Sequence, residues 1–328
     1  MVNLQTDFMG LSLKNPIIIG SSGLTNSVEN IKEAASNGAA AVVLKSLFEE
    51  QILHGTHHAI MQNELANFYP EADDYIRHYT RSNEVDNYLS LIRKSKEAVD
   101  IPIIASINCV TGQEWIDFAR KTQEAGADAL ELNVFVLPSN PFKTSEQNES
   151  LYFEVLDAVL KTVTIPVALK ISHYFSSLAQ MALKLSWTGI KGLVMFNRFF
   201  SPDIDIERFE VRASHVLSTP AEIALPLRWV AMLSSQLHCD VAASTGIYDG
   251  KAVVKQLLAG AKAVQIASVL YKKGFREIPV ILNDISEWME RHAYKNLEQF
   301  IGRMSVKKSE NPAAYERVQF MKHFSGIE

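Results

Sequence analysis

Eight short apolar runs, each followed by a helical pattern, constrain this chain more than anything else in it. Four open on Gly-Ala or Gly-Ile: Gly38-Ala39 to Lys45, Gly126-Ala127 to Asn133, Gly189-Ile190 to Asn197, and Gly260-Ala261 to Ala267. Four others alternate with them: Asn15-Pro16 to Gly20, Ile101-Pro102 to Ser106, Ile165-Pro166 to Lys170, and Cys239-Asp240 to Ser244. Strands joined by helices run parallel, because the helix is the crossover that returns the chain to the same end of the sheet. Their continuous apolarity suits strands covered on both faces. Eight such units predict a single α/β domain, a (β/α)8 TIM barrel.

The helices predicted between the strands span 28–36, 113–124, 149–160, 177–185, 225–237, 249–258 and 277–291. Asn26-x-x-Glu29 reads as a capping box for the first, and Gly38 as the glycine that stops it. Residues 47–81, after the second strand, and 198–220, after the sixth, are predicted to be long loops on the face where barrel active sites are built. Beyond residue 294 the chain turns polar, with Lys307-Lys308-Ser309-Glu310-Asn311-Pro312, so the barrel is assigned to 1–305 and a C-terminal extension to 306–328.

Charge narrows the partners. With 32 basic and 37 acidic residues and a net charge of −5, the chain lacks the basic surplus that holds nucleic acid. A small-molecule ligand is expected instead. No stretch of ~18 uninterrupted apolar residues would cross a membrane, and the N-terminus carries no basic segment followed by an apolar one. Cys109 and Cys239 are too few for a disulfide framework, which suits a reducing compartment. The reading is a cytoplasmic protein.

Polar residues close several of the apolar runs: Lys45, Asn133, Lys170 and Asn197. Any one of them can simply cap its strand or snorkel. Together at one barrel mouth they suit an anionic or hydrogen-bonding planar ligand, since a lysine is seldom buried without a partner. The stretch 238–271 adds two small-residue turns, Ser244-Thr245-Gly246 and Ala267-Ser268, after the last two strands. There, backbone N–H groups can approach phosphate oxygens closely, although a plain βαβα unit with short loops would look similar. His54-Gly55-Thr56-His57-His58 lacks carboxylate or thiolate companions at ligand spacing, so no metal site is expected. No Gly-x-Gly-x-x-Gly stretch supports direct NAD binding.

Taken as an ordered set over roughly residues 4–305, these motifs resemble the dihydroorotate dehydrogenases, FMN flavoproteins on a (β/α)8 barrel, and especially their soluble class 1 members. NPIIIGSSG resembles the first strand and flavin-side turn, AAVVLKS the strand with a flavin-contacting lysine, and ALELN the strand whose asparagine reaches substrate. IPVALKIS resembles the strand whose lysine faces the electron-rich edge of the flavin, while ASTGIYDG and GAKAVQIAS resemble the two phosphate turns. The resemblance implies that Ser21, Ser22, Gly23, Lys45 and Ser46 lie along the flavin, and that Lys170 stabilises charge on it. Asn133 and Asn197 would hold a planar, dihydroorotate-like substrate. Ser244, Thr245, Gly246, Ala267 and Ser268 would hold the phosphate. A homodimer is also implied.

The chain departs from that pattern in three places. Where the family carries a Cys or Ser base after the asparagine of the fourth strand, this chain has Val136, which accepts no proton. Ser139, Cys109, His173 and Tyr174 are the candidate replacements. The family's Asn-x-x-Gly-Leu-Pro-Asn substrate segment is replaced by Asn63-Glu64-Leu65-Ala66-Asn67-Phe68-Tyr69-Pro70, and Arg198 stands where a small hydroxyl residue is usual. Besides an oxidoreductase acting on a CH–CH bond, as from dihydroorotate to orotate in pyrimidine biosynthesis, three readings stay open. They are a flavin enzyme for another small cyclic substrate, a Schiff-base aldolase or lyase using Lys170 or Lys45, and a non-catalytic FMN-binding relative.

Overall fold

The computed structural model describes residues 2–48, 70–108, 112–199, 201–310 and 312–316. An N-terminal antiparallel pair, β1 (Thr6–Phe8) and β2 (Leu11–Leu13), precedes the barrel. Eight parallel strands then close on themselves: β3 (Ile17–Ile19), β4 (Ala41–Val43), β6 (Ile103–Asn108), β7 (Ala129–Asn133), β8 (Val167–Ile171), β9 (Gly192–Met195), β12 (Asp240–Ser244) and β13 (Ala263–Ile266). The last pairs back onto the first, with Gln265 opposite Ile18. A two-residue strand, β5 (Leu47–Phe48), adds to the far end of β6. Helices α1 (Val28–Ser36), α2 (Pro70–Ala98), α3 (Gly112–Glu124), α4 (Ser145–Leu160), α5 (Leu178–Ser186), α6 (Ala224–Leu233), α7 (Gly250–Ala259), α8 (Ser268–Lys273) and α9 (Glu277–Arg291) follow the strands, and α10 (Ala313–Glu316) comes last.

Side chains alternate across each strand, so the barrel has two cores. Ile17, Ile19, Val42, Leu130, Leu132, Leu169 and Val264 face outward, beneath the helices. Ile18, Ala41, Val43, Ile104, Ala129, Ala168, Val194, Ala242 and Ala263 face inward. Five alanines cannot fill a barrel, and the missing volume comes from the N-terminal hairpin, whose Phe8, Met9 and Leu13 complete that inner cluster. The fit is close: a Cβ on Gly192 would lie 2.7 Å from Met9 Cγ and 3.0 Å from Phe8 Cζ. Asp240 anchors the plug by accepting the Met9 N–H at 2.9 Å. Nearer the other end the inward row turns polar, with Ser106, Glu131, Asn133, Lys170 and Gln265 all buried. The interior therefore has a sealed apolar floor and a polar mouth.

Several local expectations need correcting. Ser27, not Asn26, caps α1, in extended backbone and accepting the Asn30 N–H at 3.3 Å. The loop expected over 47–81 contains β5 and, from Pro70, the first turns of α2, and residues 49–69 between them lie outside the described residues. The loop expected over 198–220 folds into an antiparallel hairpin, β10 (Ser201–Asp205) with β11 (Glu210–Ser214). Helix α4 begins at Ser145 rather than 149, because Thr144 and Gln147 form a capping box. Helix α6 ends at Leu233 rather than 237. Residues 302–306 lie against the barrel helices, with N–H groups of Gly302, Met304 and Val306 donating to Leu257, Leu258 and Ala231 carbonyls. Among the described residues no helix is long and apolar enough to cross a membrane.

Candidate active site

The polar mouth is built on one ionic core. Lys170 Nζ donates to Gln265 Oε1 at 2.8 Å and lies 3.7 Å from Glu131 Oε1, and Gln265 Nε2 donates to Glu131 Oε2. All three are at least nine-tenths buried. Strand register explains the meeting, since β7 and β8 pair Asn133 with Lys170 and place Glu131 one inward step below. At the rim, Asn197 Nδ2 donates to Asn133 Oδ1, which joins the ends of β9 and β7. A hydroxyl chain runs from Ser21 Oγ to Ser46 Oγ at 3.1 Å and on to Ser106 Oγ at 2.7 Å. Ser46 also donates its N–H to Ser21 Oγ at 2.9 Å.

A cavity of about 180 Å³ opens above this core, lined by Gly20, Ser21, Lys170, Asn197, Arg198, Ser218, Ser244, Thr245, Gly246, Ile247, Gln265, Ile266, Ala267 and Ser268. It combines hydroxyls, small residues and cations, and among the described residues no carboxylate side chain lines it. Thr245 and Gly246 both take positive φ, +78° and +76°. For a β-branched residue that conformation is strained and marks a turn held by its surroundings. A Cβ on Gly246 would lie 2.2 Å from Ile223 N, so this glycine is required by the fold itself. Ser268 Oγ accepts the Ser218 N–H at 3.0 Å, and Tyr248 donates its hydroxyl to the Ser218 carbonyl. The segment after the hairpin is thereby tied to the Ala267-Ser268 turn.

Other sequence-selected residues lie differently. Ser22 caps the 3₁₀ turn Gly23–Thr25, and a Cβ on Gly23 would meet Tyr271 Oη at 2.7 Å. Lys45 is exposed and lines neither this cavity nor its neighbour, and Ser139 is exposed in the loop after β7. Val136 is half-buried and lines a cleft of about 50 Å³ with Pro138, Tyr152 and Tyr174. Cys109, His54, His57, His58 and Asn63–Tyr69 lie outside the described residues. Burial, with help from the Asp240 charge, pushes the Cys239 thiol up to about 12, which leaves it inert as a nucleophile.

The second cavity, about 320 Å³, adjoins the first through Asn197, Arg198 and Thr245 and is walled by His173, Tyr174, Phe196, Phe199, Leu225 and Pro226. Of the candidate proton acceptors, His173 and Tyr174 therefore reach the mouth region. Burial lowers the pKa of His173, so at neutral pH the imidazole is uncharged and able to take a proton.

A family model described as dihydroorotate dehydrogenase matches residues 3–289, nearly the whole barrel. The chain belongs to the dihydroorotate dehydrogenase family. It is 26% identical over 307 residues to the dihydroorotate dehydrogenase B (NAD(+)) catalytic subunit of Thermoplasma acidophilum, covering 92% of this chain and 99% of that one. The corresponding subunit of Pyrococcus abyssi is 27% identical over 310 residues, 91% and 98% of the two chains. The NAD-dependent dihydropyrimidine dehydrogenase subunit PreA of Escherichia coli is 22% identical over 322 residues, 92% of this chain and 76% of that one. The chain is thus an oxidoreductase of the dihydroorotate dehydrogenase type.

Within that family site, the sequence reading missed Glu131 and Gln265, the two residues that hold Lys170. Their signal was present: each is a polar side chain at the inward parity inside an otherwise apolar strand, two residues from another mouth residue or from the barrel floor. Ser218, in the segment expected to be a loop, and Glu222, just beyond it, carried no such signal.

Proposed function

We propose that the chain is an FMN-dependent oxidoreductase that desaturates or reduces a CH–CH bond in a small, planar, dihydroorotate-like ring. The observation that carries this reading is the buried Lys170 at the floor of an acid-free, hydroxyl-rich cavity. The residues present fit the cofactor. Ser244, Thr245, Gly246, Ala267 and Ser268 would hold its phosphate, where hydroxyls and small residues admit backbone N–H groups and no carboxylate opposes the charge. Ser21, Ser22, Gly23 and Ser46 would flank the ring, and Lys45, exposed outside the cavity, would have to turn inward to join them. When bound, FMN would supply the redox chemistry by accepting or donating hydride.

This chain's own residues do the rest. Lys170, fixed by Gln265 and Glu131, places a preorganised positive charge at the mouth, where it costs no reorganisation during reaction. Asn133 and Asn197 present amide edges to the ring of the substrate and orient one another. The proton is held by a group other than Val136, and His173 has the location and the uncharged state for it. Ser139 would need its exposed loop to turn inward. The buried ion pair also weighs against a Schiff-base enzyme at Lys170, since its nitrogen is committed to Glu131 and Gln265.

We further propose a cytoplasmic homodimer. The hairpin β10–β11 supports it, holding Ile204, Phe209 and Val211 out with 66%, 90% and 69% of their surface exposed. The test of the cofactor is direct: the purified protein is expected to be yellow, with a flavin absorption spectrum, about one FMN per chain and bleaching by substrate in the absence of air. A colourless protein that FMN cannot reconstitute overturns the proposal.

A further inference from the structure

The charge of the 320 Å³ cavity decides what it can hold. Among the described residues Arg198 is the only lysine or arginine in its lining, and each of its three guanidinium nitrogens already makes one hydrogen bond. Nε donates to Glu222 Oε2 and Nη1 to the Val216 carbonyl, both at 2.9 Å, while Nη2 donates to the His215 carbonyl. Three of its five N–H groups are thus spent and its charge is balanced by Glu222, so it offers a ligand carboxylate no uncompensated cation. Burial raises the Glu222 pKa, but hydrogen bonds from Arg198 and Thr219 outweigh it, so the carboxyl stays ionised on the cavity wall. Nor is His173 a second cation. In the resting site burial favours its neutral form, and Nδ1, buried without a partner, has no acceptor to hold a standing charge.

The remaining wall is aromatic. Phe199 is the hub, stacked on Phe135 at 4.0 Å and meeting Tyr174 edge-on at 4.7 Å. His173 in turn meets Tyr174 at 4.3 Å and the edge of Phe196 at 5.9 Å. Such faces and edges favour a flat ring between them. At about 320 Å³ the space is at the small end of ligand pockets, which run from ~300 to ~1,000 Å³. That suits one or two rings.

We propose that this cavity seats the substrate's ring and selects a flat, uncharged ring system that carries no carboxylate. The inference rests on the mouth being the flavin site, and departs from dihydroorotate itself, whose carboxylate would meet the ionised Glu222 and, among the described residues, no uncompensated cation in this cavity.

The experiment is calorimetric titration of the purified protein, with its flavin absorption read in parallel, using uracil, 2-quinolone and orotate as probes. The neutral rings are expected to bind, with orotate weaker by about tenfold or more, as for a charge left without a partner. Phe199→Ala is expected to weaken the neutral rings about three- to tenfold. Leu225→Trp, at a residue 38% exposed and so tolerant of bulk, is expected to fill the cavity and abolish their binding. Orotate binding as tightly as the neutral rings overturns the inference, as does binding by none of the three or neutral-ring affinity indifferent to both substitutions. A protein without flavin that still prefers neutral rings, in a manner sensitive to Leu225→Trp, upholds the cavity's selectivity while refuting the flavin reading.

Discussion

Lys170→Met and Glu131→Gln, made singly and together, test the ionic core of the mouth. The Lys170 nitrogen lies 3.7 Å from Glu131 Oε1, beyond hydrogen-bond reach, so the attraction there is Coulombic and Gln265 supplies the hydrogen-bonded link. At 3.7 Å and an effective dielectric of ~20, that attraction is about 4 to 5 kcal/mol before desolvation is counted. Removing one member strands the other charge in a place where their side chains keep only 9% and 2% of their surface. Breaking a buried pair in this way typically costs ~3–5 kcal/mol. Each single variant is therefore expected to lose about 3 kcal/mol. The double variant strands no charge and should lose clearly less than the sum, for a coupling of ~2–3 kcal/mol. Urea unfolding at pH 7, with the slope m compared between variants, measures all four corners of the cycle. Additivity within ~0.5 kcal/mol would refute the coupling and with it the picture of Lys170 as a cation held by Glu131.

Three further outcomes follow from the same structure. Phe8→Ala, which empties the barrel floor, should cost ~3–5 kcal/mol in urea unfolding, and a loss below ~1 kcal/mol would mean that the hairpin does not plug the barrel. Ser268→Asp should abolish FMN binding, by like charge at the phosphate turn, with the melting temperature of the flavin-free protein nearly unchanged; Gly246→Ala should instead lower that melting temperature, because its Cβ would meet Ile223 N at 2.2 Å, and the reverse pattern would contradict the assignment. His173, whose pKa burial lowers from 6.5, binds a proton more readily in the unfolded chain, so stability should fall as pH drops below about 6.5 towards its depressed folded value, a loss that His173→Phe should blunt. The same variant should slow anaerobic flavin bleaching by ~10²–10⁴-fold if His173 is the base, with Tyr174, Arg198 and Glu222 the other ionisable groups lining its cavity. Val136→Cys bleaching faster than the unmodified protein while His173→Phe changes nothing would return the role to the loop after β7.

The barrel was legible in the sequence because its cause is local and repeated. Each apolar run is long enough for one strand, each following segment has the period of one helix, and eight copies admit a single closed arrangement. Lys170, Asn133 and Asn197 were legible because they end apolar runs, whereas Lys45, which ends another, is exposed and lines neither cavity. Elements whose cause is not periodic were invisible. The N-terminal hairpin has three residues in each strand, too few for a pattern, and its purpose shows only when five inward alanines are seen to leave a hole. The hairpin after β9 has almost no buried face, so nothing in its hydrophobicity distinguishes it from a loop.

Partnerships across the barrel were decided by tertiary structure alone. That Lys170 meets Glu131 and Gln265, 39 and 95 residues away in the chain, depends on strand register and closure, which no local pattern encodes. Arg198 shows the limit most plainly. The sequence marks it only as standing where a small hydroxyl residue is usual, and only the fold brings Glu222 and the carbonyls of 215 and 216 to its three nitrogens and balances its charge. A sequence states which charges a site owns, but folding determines which of them are already spoken for, because neutralisation depends on distances of a few ångströms between segments that the chain order keeps apart.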